Sequence, residues 1–349
     1  MTITEFRQRL RALGALPKHE ARVLRDWVNV KPHDSGRRRP EHFLPLAVRA
    51  ALPELDAAFE ALAAVRSEHP GEDGSMRLLV ALADGQTVES VLLPEREKTG
   101  GVCVSSQIGC AVGCQFCMTG REGLIRQVTS AEIVAQVVLA RRRRAVNKVV
   151  FMGMGEPAHN LDAVMEAITL LGTEGNIGHK NLVFSTVGDP RVFERLPQGP
   201  VKPALALSLH TSKPALREQL LPRAPQLTPQ EIVAAGEAYA RLSGYPIQYQ
   251  WTLIEGVNDG EDEMDGIVDL LKGKYGVLNM IPYNTIPDLA FKRPSWERAR
   301  EIAQGLHRRG VLTKLRDSAG QDVDGGCGQL RARESVGRKG RVVPIKLQA

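Results

Sequence analysis

Val102-Cys103-Val104-Ser105-Ser106-Gln107-Ile108-Gly109-Cys110-Ala111-Val112-Gly113-Cys114-Gln115-Phe116-Cys117 is the stretch on which the reading of this 349-residue chain turns. Val102 to Ser106 has the short apolar character of a strand, and three cysteines follow it on one loop, at 110, 114 and 117. Three soft thiolates on one loop can converge on a single inorganic site. A closed zinc site normally takes four ligands; Cys103 is the nearest further thiol, but it lies inside the strand pattern, seven residues before Cys110. Three ligands on a [4Fe–4S] cluster would instead leave one iron open.

Downstream of this loop, strand-like and helix-like segments alternate. The strands expected are VCVSS, KVVFM, NLVFS, PALALSL, IQYQWTL and VLNMI, with VLTKL as a further candidate. Such alternation argues for an α/β fold of parallel strands joined by crossover helices. Thr129 with Glu132 and Thr228 with Glu231 match capping boxes, the second with Pro229 at the first helical position. Asn160 is placed to cap LDAVMEAITLL. About six β/α units in roughly 220 residues are too few for a closed eight-stranded barrel, which leaves a partial barrel or an open sheet.

Upstream, residues 1–68 read as a small helical accessory domain, with ITEFRQRLRAL, EARVLRDWV and PELDAAFEALAAV at helical spacing and the polar KPHDSGRRRP between them. Residues 69–99 read as a β-hairpin extension, because two apolar runs flank Ala83-Asp84-Gly85-Gln86. The α/β unit then occupies 100–318, a glycine-rich loop 319–330, and a basic tail 331–349.

The chain carries 43% hydrophobic residues, enough for a substantial core, and has neither an apolar run of membrane-spanning length nor a secretory leader pattern, so a cytoplasmic location and no membrane partner are expected. Five cysteines without export signals argue for metal or catalytic chemistry rather than a disulfide framework. A net charge of +6 permits a polyanionic partner without requiring one. The charge clusters at Arg37 to Arg39, at Arg141 to Arg144, and at Arg331, Arg333, Arg338, Lys339 and Arg341. The second run closes a predicted helix, where cations complement the dipole and face solvent. The tail reads equally as a phosphate-neutralising arm or an inert solvated end.

Several polar residues fall at the ends of expected strands: Gly155 and Glu156 after KVVFM, Ser185 closing NLVFS, Ser208, Leu209 and His210 after PALAL, and Asn284 after VLNMI. Parallel strands would gather them at one mouth, where α/β enzymes bind ligands. Each taken alone also reads as ordinary turn or capping chemistry. Cys327 stands in Asp-Val-Asp-Gly-Gly-Cys-Gly, a poor place for the core packing that free cysteine usually serves.

Cys-x3-Cys-x2-Cys with an aromatic before the last cysteine resembles the radical-SAM signature. Joined in order with VCVSSQIGC, Gly153-Met154-Gly155-Glu156-Pro157, Ser208-Leu209-His210, Gly256-Val257-Asn258-Asp259 and Asp324-Gly325-Gly326-Cys327-Gly328-Gln329-Leu330, it resembles the RlmN/Cfr family of radical-SAM adenine methyltransferases over residues 75–330. The resemblance implies a partial (β/α)6-type radical-SAM barrel, with Cys110, Cys114 and Cys117 as ligands of a [4Fe–4S] cluster. S-adenosylmethionine would serve as methyl donor and radical source, in a pocket lined by Gly155, Glu156, Ser185, Ser208, Leu209, His210 and Asn284. It further implies that Cys327 carries the methyl group as S-methylcysteine, that Cys103 releases the product through a transient disulfide with Cys327, and that Glu89 accepts a proton.

The implied product is an adenine methylated at a ring carbon, C2 ahead of C8, in ribosomal RNA or else transfer RNA. A flavodoxin- or ferredoxin-type electron donor and a monomeric chain go with it. Met118-Thr119-Gly120, Ser185-Thr186-Val187-Gly188-Asp189 and Ile281-Pro282-Tyr283-Asn284 depart from the best-known members and bear on which RNA is used. Two rival readings are a radical-SAM enzyme acting on a protein or small molecule, and a zinc-stabilised RNA-binding protein.

Overall fold

Three amphipathic helices open the chain: α1 (Ile3–Ala12), α2 (Pro17–Val28) and α3 (Leu46–Glu60). The computed structural model describes residues 1–35, 39–95, 100–121, 123–286 and 289–331, so Arg37, Arg38 and the basic tail beyond Arg331 lie outside the described residues. Thr2 and Glu5 close a capping box at α1, and the three helices meet through Phe6, Trp27 and Phe59. Phe59 sits 4.4 Å from Phe6 and is stacked on Trp27 at 4.4 Å and 10°.

The helical reading of residues 1–68 needs one correction. The Ala/Leu run leaves the helix at Glu60, and β1 (Ala63–Pro70) follows, alternately buried and exposed and paired antiparallel with β2 (Met76–Leu82). Local propensity favours helix here, but the edge of β2 offers a row of backbone partners, and strand preference is set by such neighbours. The expected hairpin is formed by β2 and β3 (Thr87–Leu92), with Asp84 Oδ1 accepting the Gln86 N–H at 3.1 Å in its turn.

From β4 (Gly100–Cys103) the architecture becomes α/β. A small hairpin of β5 (Gln107–Gly109) and β6 (Leu124–Gln127), with α4 (Met118–Arg121) inside it, holds the cysteine loop. Then come α5 (Ser130–Arg141), β7 (Val146–Phe151), α6 (Leu161–Thr173), β8 (Leu182–Thr186), α7 (Pro190–Arg195), β9 (Ala204–Ser208), α8 (Pro214–Leu220), α9 (Pro229–Ser243), β10 (Ile247–Leu253), α10 (Glu261–Leu271), β11 (Gly276–Pro282), α11 (Trp296–Arg308) and β12 (Thr313–Leu315). All seven strands expected in this part are present.

Ten of the twelve strands make one sheet in the order β1-β2-β3-β4-β7-β8-β9-β10-β11-β12, parallel from β4 onward. β1 and β12 are its two edges, so the sheet does not close on itself, as a partial barrel requires. Among the described residues no helix is long and apolar enough to cross a membrane.

Both capping boxes form, at Thr129/Glu132 and Thr228/Glu231. Asn160 does not cap α6 through its side chain; its Nδ2 donates to Ser106 O at 2.8 Å and Val128 O at 2.6 Å, fastening the segment after β4 to the start of α5. Within α5 the buried Gln136 has a similar office. Its Oε1 accepts from Ser90 Oγ (2.8 Å) and the Ser105 N–H (2.9 Å), and its Nε2 donates to Ser105 O (2.9 Å).

The run Arg141 to Arg144 is structural, but it does not simply face solvent. Arg141 donates to Val28 O (2.8 Å), Asn29 Oδ1 (3.1 Å) and Gly175 O (2.7 Å), and burial lowers its pKa. Arg142 pairs with Glu60, Arg143 with Glu68, and Arg144 reaches Gly74 O. Four consecutive arginines thus rivet the helical segment and β1 to the α/β unit. Arg141→Met should keep the fold but lose about 2 kcal/mol as carbonyls lose a charged donor, read by thermal denaturation as a Tm lower by about 3 °C. An unchanged Tm would mean that the helices dock without this residue.

Candidate active site

The cysteine loop is shaped before any ligand enters it. Gly109 has φ +75°, and a side chain there would collide with the Gly123 carbonyl, which accepts the Cys110 N–H at 3.0 Å. Farther on, the Gln115 N–H donates to Leu220 O (3.0 Å) and the Arg223 N–H to Val112 O (3.2 Å), so the loop lies against the end of α8. Cys110, Val112, Phe116, Val187, Leu220, Leu221 and Ile254 form an apolar bed with Cys114 and Cys117 packed on it.

Burial is the main reason these thiols resist ionisation: Cys110 is pushed up to about 12, Cys114 well above its ordinary value, and Cys117 upward. Their charges also oppose one another, Cys114 feeling both Cys117 and Cys110, and Cys110 feeling Cys117. A positively charged metal centre inverts that cost, because ligation deprotonates a thiol outright. A closed zinc site takes four ligands, and this loop offers three. A polynuclear cluster binds its thiolates at separate corners, and a soft three-cysteine set suits it.

The strand ends come next. Because β4 and β7 to β11 run parallel, their C-terminal ends share one edge. Gly155, at φ +101°, lets the chain after β7 press against Gln107, so the glycine serves the approach of two backbone segments. Glu156 is buried; its N–H donates to Gln107 Oε1 (2.7 Å), and its carboxylate accepts from the Ala158 N–H and the Val187 N–H, both at 3.1 Å. Burial pushes its pKa up to about 7 against these hydrogen bonds and that of Thr186, and its charge reaches Cys110 and Cys114.

Ser185 lies within β8 and Ser208 closes β9, both half-buried, followed by the fully buried Leu209. His210 adopts φ +63°, a left-handed conformation that costs a non-glycine residue roughly 1 kcal/mol or more. Its Nδ1 accepts the Thr252 N–H at 3.0 Å, which puts the ring hydrogen on Nε2. Burial, then the Arg217 charge, press its pKa down to about 3, so the ring is a neutral donor standing edge-on to Phe116 at 4.8 Å.

The C-terminal segment covers this mouth. The Met118 N–H donates to Gly328 O (2.7 Å) and Thr119 Oγ1 to Leu330 O (2.6 Å), laying residues 328–330 along α4, directly after Cys117. Asn284 is buried, and its Nδ2 donates to Cys327 O and Ser318 Oγ, both at 2.9 Å, while its Oδ1 has no partner. Cys327 stays open to solvent, yet atoms crowd its sulfur: burial raises the thiol pKa, Ser318 and Arg316 oppose this, and Cys117 adds to it. Cys103, at the end of β4, is pushed up to about 12 by burial and then by the Cys327 charge. The fold therefore brings a strand thiol, a cluster-loop thiol and the glycine-loop thiol into one electrostatic neighbourhood.

Glu89 is buried rather than on an outer face of the hairpin. It pairs with Arg77 and accepts the Arg331 N–H at 2.6 Å, while Arg77 Nε donates to Val323 O at 2.6 Å. This pair anchors both ends of the glycine-rich segment. Sequence reasoning did not single out Arg77, Gln136, or Arg217, a buried cation on α8. An arginine or glutamine in a helix or strand usually faces water, and nothing local marks these as buried.

Comparison with known proteins agrees with this geometry. The radical SAM superfamily profile matches residues 104–271. A protein of Leptothrix cholodnii named probable RNA methyltransferase is 72% identical over 334 residues, covering 96% of this chain and 95% of that one. One of the same name from Pseudomonas aeruginosa is 64% identical over 348 residues, covering 99% of each. The crystal structure of a radical SAM methyltransferase from Sphaerobacter thermophilus superposes with a TM-score of 0.82 at 35% identity, covering 95% of this chain and 98% of that one. The zinc-stabilised, non-enzymatic reading falls with this match, since the superfamily's cofactors are a [4Fe–4S] cluster and S-adenosylmethionine. The chain belongs to the radical SAM methyltransferases.

Proposed function

We propose that this enzyme methylates a ring carbon of an adenine in RNA, as members of the RlmN/Cfr family do, with the methyl group carried on Cys327 and the product released by Cys103. The observation that supports the reading most is that the glycine-rich loop carries Cys327 alongside the cysteine loop, the Met118 N–H donating to Gly328 O at 2.7 Å, with Cys103 close enough for its thiol to feel the Cys327 charge. A methyl-carrying thiol needs a radical source beside it and a second thiol within reach for release. The names of the 64–72% identical relatives favour RNA over a protein or small-molecule substrate.

In this reading Cys110, Cys114 and Cys117 hold the cluster. Gly155, Glu156, Ser185, Ser208, Leu209, His210 and Asn284 line the S-adenosylmethionine pocket. When bound, the two cofactors supply the radical that takes hydrogen from the methyl group. Asn284 fixes the Cys327 carbonyl so that the sulfur stays over the mouth. Glu89, held as one partner of the Arg77 ion pair, is the proton acceptor. Cys103 attacks the Cys327 sulfur as a thiolate, so that the Cys103–Cys327 disulfide forms as the bond from that sulfur to the transferred carbon breaks, and the released carbon takes up a proton as the new methyl group.

The adenine has to be unstacked to reach Cys327. Arg121, Arg223 and Arg316 border the mouth from three different segments, and among the described residues none has an acidic partner. They are our candidates for phosphate contacts, with the N-terminal helices and the basic tail as further ones. Ribosomal RNA, C2 methylation, a flavodoxin or ferredoxin donor and a cytoplasmic monomer complete the proposal.

Peptide mass spectrometry on protein from iron-replete cells should find a methyl group on Cys327. Cys327→Ala should still cleave S-adenosylmethionine reductively yet leave RNA unmethylated, and retained methylation would remove this thiol from the reaction. Cys103→Ala should accumulate a protein–RNA crosslink through Cys327; free protein turning over normally would end the release role. Binding of an RNA hairpin with an unpaired loop adenosine, followed by anisotropy between about 50 and 200 mM salt, should lose about one unit of log–log salt slope for each of Arg121, Arg223 and Arg316 changed to Gln. Unchanged slopes with intact binding would place the phosphate contacts elsewhere.

A further inference from the structure

Arg217 sits on α8 and is only 3% exposed, yet its hydrogen bonds go to carbonyls and none to a carboxylate. Nη1 donates to Ser208 O at 2.7 Å and Leu209 O at 2.8 Å, Nη2 donates to Val187 O, and Nε is buried without a partner. The guanidinium therefore forks across the ends of two neighbouring strands, β8 and β9. The peptide N–H of Val187 is at the same time held by Glu156 Oε2 at 3.1 Å. One residue thus stands between a buried anion on its N–H and a buried cation on its carbonyl.

The helix that carries Arg217 also touches the cysteine loop. Leu220 O accepts the Gln115 N–H at 3.0 Å, and Leu216 and Leu220 belong to the apolar bed shared with Cys110 and Cys114. Burying a guanidinium without a paired anion is costly, and an apolar side chain of like volume would fill the space at less cost. The negative charge nearest at hand is Glu156, which holds the N–H of Val187 while Arg217 holds the carbonyl of the same residue.

We infer that Arg217 is a positioning residue for the loaded site: its fork holds the Val187, Ser208 and Leu209 carbonyls, and with them the S-adenosylmethionine-facing ends of β8 and β9, while its charge stands opposite Glu156 across Val187. The inference rests on the reading of those strand ends as the S-adenosylmethionine pocket. The two duties separate chemically. Lysine keeps the charge but cannot bridge three carbonyls as a planar fork does, whereas glutamine loses the charge. The interaction of the Arg217 charge with Cys114 and Glu156 is in keeping with the second duty.

The experiment uses the anaerobically reconstituted full chain. Iron content and visible absorption establish that each variant holds its cluster. Equilibrium dialysis then gives the S-adenosylmethionine dissociation constant, and an EPR-monitored redox titration gives the cluster midpoint potential. In Arg217→Gln the potential should move to more negative values, because net charge near a cluster sets its potential, and in Arg217→Lys it should stay near that of the wild type. The dissociation constant should rise about tenfold in both, roughly the equivalent of one charge-assisted hydrogen bond.

An unmoved potential in Arg217→Gln would overturn the counter-charge, and wild-type affinity in both variants would overturn the positioning role. Should Arg217→Gln fail to hold a cluster, Arg217→Lys decides alone, with wild-type affinity again overturning the positioning role. A wild-type protein that binds no S-adenosylmethionine would instead overturn the pocket reading itself.

Discussion

The parallel alignment of β4 with β7 to β11 is the constraint on which the rest of this enzyme depends. In a parallel sheet every strand leaves at the same edge, so residues scattered from Cys103 to Asn284 arrive at one mouth. The alignment is itself secured by buried polar side chains. Gln136 and Asn160 stitch the segment after β4 to α5, and so set where the cysteine loop begins. An apolar helix face alone would allow that segment to slide. A side-chain amide bonded to both the N–H and the carbonyl of Ser105 does not.

A second theme is the handling of buried charge. The mouth holds Glu156, Arg217 and the thiols of Cys103, Cys110, Cys114 and Cys117 in apolar surroundings, and each pays for burial through a displaced pKa or a set of fixed hydrogen bonds. Away from the mouth, the Arg77–Glu89 pair meets the same cost by pairing, and uses its spare hydrogen-bonding capacity to fasten Val323 and the Arg331 N–H. The glycine-rich segment is thereby held at both ends while Cys327 between them stays accessible.

Much of this was legible in the order of residues. Alternating strand and helix patterns place the seven parallel strands of the main sheet but not the small β5–β6 hairpin, and the two capping boxes mark helix starts, because these signals are local. The edge strand β1 was not legible, since an Ala/Leu-rich run carries helical propensity and only the exposed edge of β2 draws it into a sheet. Arg141 to Arg144 could be recognised as the end of a helix, but their partners, from Val28 to Gly175, lie far away in the chain. Asn160 has the composition of a cap, and two carbonyls from other segments outcompete that use.

By itself the sequence determined the chemistry available: three thiols at the spacing of one loop, two further cysteines in contrasting settings, and glycines where the backbone must turn. Residue type and spacing carry such information because a ligand set on one loop closes through local geometry. Only the tertiary structure decided which of these groups meet. The Cys327 loop is brought onto Met118 and Asn284 from far along the chain, Glu89 is withdrawn into an ion pair, and Arg217 is turned inward onto the ends of β8 and β9. Long-range meetings of this kind are set by strand order, burial and the electrostatic cost of enclosing a charge, none of which is written in neighbouring residues.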